Sequence, residues 1–184
     1  MQKTIITISG SPGSGKTTLC MGLNHALSSM GKTVFYAHEW IKDWANRKVP
    51  TAPIDQYGVF GNQTMLITSG IKSECEVITS CSSPALCAFY SQYYSDNTRF
   101  NSLKAAAIEF DKEAEACGYK VINYFLERDP ETYKRYFKDT GRYESLEQSL
   151  QMQKEMKEWM LAAFPHSIQI RHDLDVFKIL QELS

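Results

Sequence analysis

The sequence predicts an α/β protein built on a parallel sheet with helices on both faces. Residues Lys3–Ser9 form a β-branched apolar run, the composition of a strand buried on both sides, and it leads into a glycine-rich turn. From Lys16 the apolar residues Leu19, Leu23, Ala26, Leu27 and Met30 keep a helical spacing that stops at Gly31, a suitable residue just past a helix end. Strand and helix patterns then alternate to the end of the chain, the signature of a parallel sheet with crossover helices.

Lys32–Ala37 reads as the second strand, reached after a very short connection, with His38 and Glu39 at its C-terminal end. A helical region over Asp55–Gly70 precedes a strand at Glu76–Ser80. The next helix is expected over Ser102–Cys117, with Leu103, Ala107, Phe110 and Ala114 on its apolar face and Gly118 at its end. A strand at Lys120–Leu126 follows. Ser145 and Gln148 match a capping box, behind which Ser149, Met152, Met156, Trp159, Met160 and Ala163 form a helical stripe read as core packing. Ser167–Ile170 is the fifth strand candidate and Asp173–Leu183 the closing helix.

At 184 residues, 43% of them hydrophobic, the chain is long enough to bury one core and short for two, so residues 1–184 are read as one domain. A formal net charge of -1 provides no global positive field for sequence-independent binding to long nucleic acid. Five cysteines without a CxxC pair suggest neither a disulfide framework nor a zinc site. The N-terminal apolar run is too short for a signal-peptide core and no stretch reaches membrane-spanning length, so a cytoplasmic location and no membrane partner are expected.

Gly10-Ser11-Pro12-Gly13-Ser14-Gly15-Lys16-Thr17 fits the pattern GxxxxGK[ST] and lies between a strand and an amphipathic helix, the context a phosphate-binding P-loop demands. Its glycines let successive backbone N–H groups turn inward on phosphate oxygens, helped by the partial positive charge of the helix N-terminus. Lys16 supplies a cation for the β- and γ-phosphates, Thr17 a hydroxyl ligand for Mg²⁺, and Thr18 serves neighbouring phosphate oxygens. ATP and Mg²⁺ are the expected cofactors.

Residues just beyond the strand ends face the ligand in such a sheet. Glu39 is therefore a candidate general base or water-mediated metal ligand, whereas His38 reads as packed or exposed. Beyond the third strand the chain reads Val77-Ile-Thr-Ser-Cys-Ser-Ser-Pro84, without the acid that usually stands on the magnesium side. Hydroxyls of Ser80, Ser82 or Ser83 could hold a metal-bound water there, with charge from Asp96 or Glu39. After the fourth strand, residues 128–144 mix basic and aromatic side chains. They are expected to form a lid whose Arg128 and Arg142 close on the γ-phosphate, and Tyr133, Tyr136, Phe137 and Tyr143 could stack on a base.

Together with Val59-Phe-Gly-Asn-Gln63, Pro84, Tyr90, Asn123-Tyr-Phe-Leu-Glu-Arg128 and Gly141-Arg142, these residues make the chain resemble small P-loop kinases, many from phages, similar to thymidylate kinases and to the ribosylnicotinamide-kinase type. The resemblance covers nearly the whole chain. It implies a nucleoside-monophosphate-kinase-like, five-stranded sheet in the order 2-3-1-4-5, ATP with Mg²⁺, and an arginine-bearing lid. Because the group includes phage 5-hydroxymethyluridine DNA kinases, it also implies a specific acceptor, the 5-hydroxymethyl group of uracil in DNA. A kinase for free nucleosides or nucleoside monophosphates is the alternative. An ATPase or nucleotide-dependent switch, and a non-catalytic nucleotide-binding module, are further readings that a P-loop alone leaves open. The Met-rich and aromatic helices could also bury a homodimer contact.

Overall fold

In the computed structural model, strands β1 (Thr4–Ser9), β2 (Val34–Ala37), β3 (Val77–Ser80), β4 (Lys120–Leu126) and β5 (Ile168–Arg171) lie in the order β2-β3-β1-β4-β5. Every neighbouring pair is parallel. β2, β3, β1 and β4 form the body of the sheet, and β5 adds to its edge through residues paired with Asn123–Leu126. The structure describes residues 2–94, 97–137, 143–164, 168–171 and 175–183. Arg142, Asp96, Lys138 and Gly141 lie outside them, as do the expected strand start at Ser167 and helix start at Asp173.

β1 is buried along its whole length, and its alternating side chains divide the core between two faces. Ile6 and Ile8 point to the face covered by α1 (Lys16–Ser29) and the terminal helix (Val176–Leu183), where Leu19, Leu23, Leu27 and Ile179 pack. Ile5 points to the opposite face, with Ile67, Ile78 and Ala114. A second cluster on that side places Met152, Met156 and Met160 against Phe125, so the methionine stripe is core.

Seven further helices connect or cover the strands: α2 (Ile41–Asn46), α3 (Asp55–Lys72), α4 (Ala85–Tyr94), α5 (Asn97–Ala116), α6 (Pro130–Tyr136), α7 (Leu146–Ala163) and α8, the terminal helix. Three of these are additions to the sequence reading. Most of α4 is buried and it is apolar nearly all round, so it shows no amphipathic period. α2 is only six residues long. α6 starts on Asp129, whose side chain accepts from the Thr132 N–H at 2.9 Å, with Pro130 in the first turn. α5 begins at Asn97, five residues before Ser102, because its first turn lacks the apolar repeat that marks the remainder.

Candidate nucleotide and acceptor site

The P-loop leaves β1 at Gly10, whose φ of 151° and crowding reserve the position for glycine: a Cβ there would lie 2.7 Å from the Leu126 carbonyl oxygen. Gly15, at φ 98°, starts α1 without a side-chain cap and with no acid in the first turn. The first N–H groups of α1 thus have no competing side-chain acceptor and point at the mouth of the loop. Ser14 is 2% exposed and its Oγ has no hydrogen-bond partner among the described residues. The arrangement is a cradle of donors of the kind that can hold an anion.

Lys16 is 7% exposed, and its ammonium donates to the carbonyls of Gly10 at 2.8 Å and Ser11 at 3.0 Å. An ammonium has three donors, so one remains for a ligand oxygen. The Thr17 hydroxyl accepts from Lys42 Nζ of α2 at 3.0 Å. Thr18 is exposed on the wall of the same cavity.

Arg128, beyond β4, donates from Nε to the Ser14 carbonyl at 3.0 Å. Gln153 of α7 fixes its backbone, accepting from the Arg128 N–H at 3.0 Å and donating to its carbonyl at 2.8 Å. Tyr133 of α6 lies over the loop, its hydroxyl 2.9 Å from Ser11 Oγ and in contact with the Pro12 carbonyl. Two residues of the expected lid, Arg128 and Tyr133, therefore touch the P-loop directly.

Glu39 stands at the end of β2, half-buried and facing the main cavity. Its charge adds to the effect of burial in raising the Cys87 thiol to about 12 and the Tyr90 hydroxyl well above its ordinary range. His38 is exposed and lines a smaller neighbouring cavity of 520 Å³.

At the end of β3 the three serines separate. Ser80 Oγ accepts from Gln63 Nε2 at 2.9 Å and donates to the Ser82 carbonyl at 2.6 Å, and Ser83 Oγ accepts from the Ala85 N–H at the start of α4. Ser82 is the one of the three that lines the main cavity. Between them Cys81 meets the Tyr36 hydroxyl at 3.4 Å. A hydrogen bond from Cys20 lowers its thiol to about 7, against burial and the Glu39 carboxylate.

The main cavity has a volume of 1180 Å³, more than the roughly 300–1,000 Å³ of a pocket for one small ligand. One arm is the phosphate cradle. The other is walled by Val59, Leu86, Cys87 and Tyr90, with Gln56 of α3, Ser82 and Glu144 among its polar side chains. Gln56 is 8% exposed and its side-chain amide makes no hydrogen bond to a described residue. Tyr90 stacks on Tyr94 with ring centroids 6.0 Å apart. The rim is tied by Tyr94 to Glu144 at 2.9 Å and by Tyr143 to the Val49 carbonyl at 2.7 Å.

Gln56, Lys42 and Tyr94 were not among the residues singled out from sequence. Gln56 carried one signal, a polar residue that, like Gln63, falls on the buried face of α3. The other two become site residues only through the packing of α2 and α4. Among the described residues no helix is long and apolar enough to cross a membrane, and no group of three His, Cys, Asp or Glu could hold a metal ion.

The chain matches no protein-family model and no curated protein sequence. It is similar to solved structures across 98% of its length. A NadR protein in complex with NR superposes with a TM-score of 0.68 at 13% identity, and one in complex with NAD and AMP-PNP with a TM-score of 0.59 at 13% identity. Deoxyadenosine kinase from M.mycoides with bound dATP superposes with a TM-score of 0.57 at 15% identity. The chain covers 98% of the deoxyadenosine kinase chain but about half of the NadR chains, 49% and 48%. At these identities the likeness shows a shared fold: the chain has the P-loop α/β fold of these nucleotide-bound structures.

Proposed function

We propose that this protein is an ATP-dependent phosphotransferase that moves the γ-phosphoryl group to a hydroxyl of a nucleoside-type acceptor. The observation that carries the reading is one continuous cavity with an uncapped helix N-terminus and Lys16 in one arm and Glu39 facing an aromatic, amide-bearing arm. Its volume suits two ligands held together, which supports transfer between them over simple hydrolysis.

In this mechanism the loop N–H groups and Lys16 bind the β- and γ-phosphates, and Arg128 and Arg142 spread the charge of the transferring group. Glu39 takes the proton of the acceptor hydroxyl, whose oxygen forms the new P–O bond as the bond to the β-phosphate bridging oxygen breaks and ADP leaves. Mg²⁺ fits a donor set of the Thr17 hydroxyl and phosphate oxygens, with Glu39 a carboxylate on the same cavity wall, and when bound it would neutralise phosphate charge. Tyr90 and Tyr94 offer a flat apolar wall to a base, and Gln56 a donor and an acceptor to its edge.

The specific acceptor we propose is 5-hydroxymethyluracil in DNA, entering the tied rim as a flipped base, which a cavity walled by Tyr90 and Tyr94 and edged by Gln56 accommodates. A free nucleoside or monophosphate is the alternative. The test is transfer of label from γ-labelled ATP to DNA containing 5-hydroxymethyluracil, unmodified DNA, free nucleosides and nucleoside monophosphates, with Lys16→Ala as control. Label confined to the hydroxymethylated DNA supports the specific acceptor, and label on a free nucleoside replaces it. Label released only as inorganic phosphate at an acceptor-independent rate overturns the transferase reading. Glu39→Gln is expected to slow transfer to a hydroxyl by about 10²–10⁴-fold. A near-normal rate would remove Glu39 as base.

A further inference from the structure

Lys42 is an exposed lysine whose ammonium meets no carboxylate among the described residues, although Glu39 lies three residues away in the same segment. It donates instead to a neutral oxygen, Thr17 Oγ1, at 3.0 Å. An ammonium gains more from an anionic acceptor than from a hydroxyl, so this contact is a weak resting place beside an anion cradle. The neighbouring cations are partly engaged: Lys16 spends two of its three donors on loop carbonyls and Arg128 spends Nε on the Ser14 carbonyl. The buried, unpartnered Ser14 Oγ independently marks the cradle as prepared for a ligand. Beyond β3, Cys81 and Ser82 bring no carboxylate that would hold either a metal ion or the lysine.

Resting on the nucleotide reading above, we infer that Lys42 is a second phosphate-binding cation, which leaves Thr17 for the terminal phosphate of a bound nucleoside triphosphate. Its position on the short helix α2, between the main cavity and the smaller one, lets its stem reach either. Lys42 thereby holds the terminal phosphate before or without a metal ion. When a metal ion engages Thr17, the ammonium must move away, since the same oxygen cannot serve both at close range.

The test is equilibrium binding of ATP and of ADP in EDTA, for the unsubstituted chain, Lys42→Met and Lys42→Arg. The unsubstituted chain is expected to prefer ATP over ADP by about tenfold, because the extra phosphate gains a charge-assisted contact. Lys42→Met lowers the ratio severalfold while leaving ADP affinity within about twofold, Lys42→Arg keeps most of it, and added Mg²⁺ restores ATP binding to Lys42→Met. Unchanged far-UV circular dichroism and Tm show that the exposed substitution leaves the fold intact. An unchanged ATP to ADP ratio in Lys42→Met, or no preference in the unsubstituted chain, overturns the inference alone. Failure of the unsubstituted chain to bind either nucleotide, with or without Mg²⁺, overturns the nucleotide reading and this inference with it.

Discussion

Gln56 places a side-chain amide on the wall of the main cavity, outside the hydrogen-bond network of the core. A buried amide normally finds partners, because leaving its donors and acceptor unmet costs about 1–3 kcal/mol. Here the amide faces the cavity, among apolar and aromatic groups, with no hydrogen bond to a described residue. Gln56→Leu keeps the volume and removes the polar edge. The expected result is an acceptor KM raised about tenfold, with kcat and Tm held or Tm slightly increased, measured by steady-state kinetics and thermal unfolding. A fall in Tm with unchanged KM would make Gln56 structural. Cys81 illustrates the opposite case, a thiol between Cys20 and Tyr36 that stands where the sequence reading looked for an acid.

At the scale of elements, helix starts decide where the site residues sit. Ser145 caps α7, its Oγ accepting from Gln148 N–H at 3.2 Å while Gln148 Oε1 accepts from Ser145 N–H at 2.8 Å. Through Gln153 the same helix holds the backbone of Arg128 at the P-loop. Ser145→Ala is expected to cost about 1 kcal/mol and to lower Tm by roughly 2–4 °C, read by thermal unfolding, with acceptor KM unchanged. α5 contributes a pH-dependent element. Asp111 accepts from Asn123 Nδ2 at 3.0 Å, and Asn123 in turn accepts from Thr7 at 2.5 Å, joining α5 to β4 and β1. Burial raises the Asp111 carboxyl from its ordinary 3.8 to about 6.

The folded protein therefore binds this proton more tightly than the unfolded chain, and Asp111 weakens the fold above pH 6, an effect that fades as pH falls toward 4. Asp111→Asn can still accept from Asn123. Its Tm should exceed that of the unsubstituted chain at about pH 8, with the difference disappearing near pH ~4. An equal Tm difference at both pH values would show that the carboxylate is not the cause.

For the whole molecule, ligand binding and folding are linked, because the cradle joins β1, α1, β4 and α6 in one place. A ligand at a hundredfold its Kd contributes about 2.7 kcal/mol, which for a chain of this size is a Tm rise of roughly 5–10 °C. ATP with Mg²⁺ is expected to produce that rise, and Lys16→Ala to abolish most of it. A rise that survives Lys16→Ala would place the nucleotide elsewhere.

The sequence by itself determined the sheet-and-helix alternation and the phosphate loop, because both are local. Burial on both faces is written in the unbroken run Thr4–Ser9, and the glycines, Lys16 and Thr17 fall within eight successive positions, Gly10 to Thr17. It could not show α4, whose all-round apolar surface has no period, nor the resting place of Lys42, 25 residues from the hydroxyl it meets. The second arm of the cavity was decided only by tertiary structure. Its walls come from α3, α4 and residues 143–144, segments brought together by burial of nonlocal apolar surface, and none carries a spacing that names its partners.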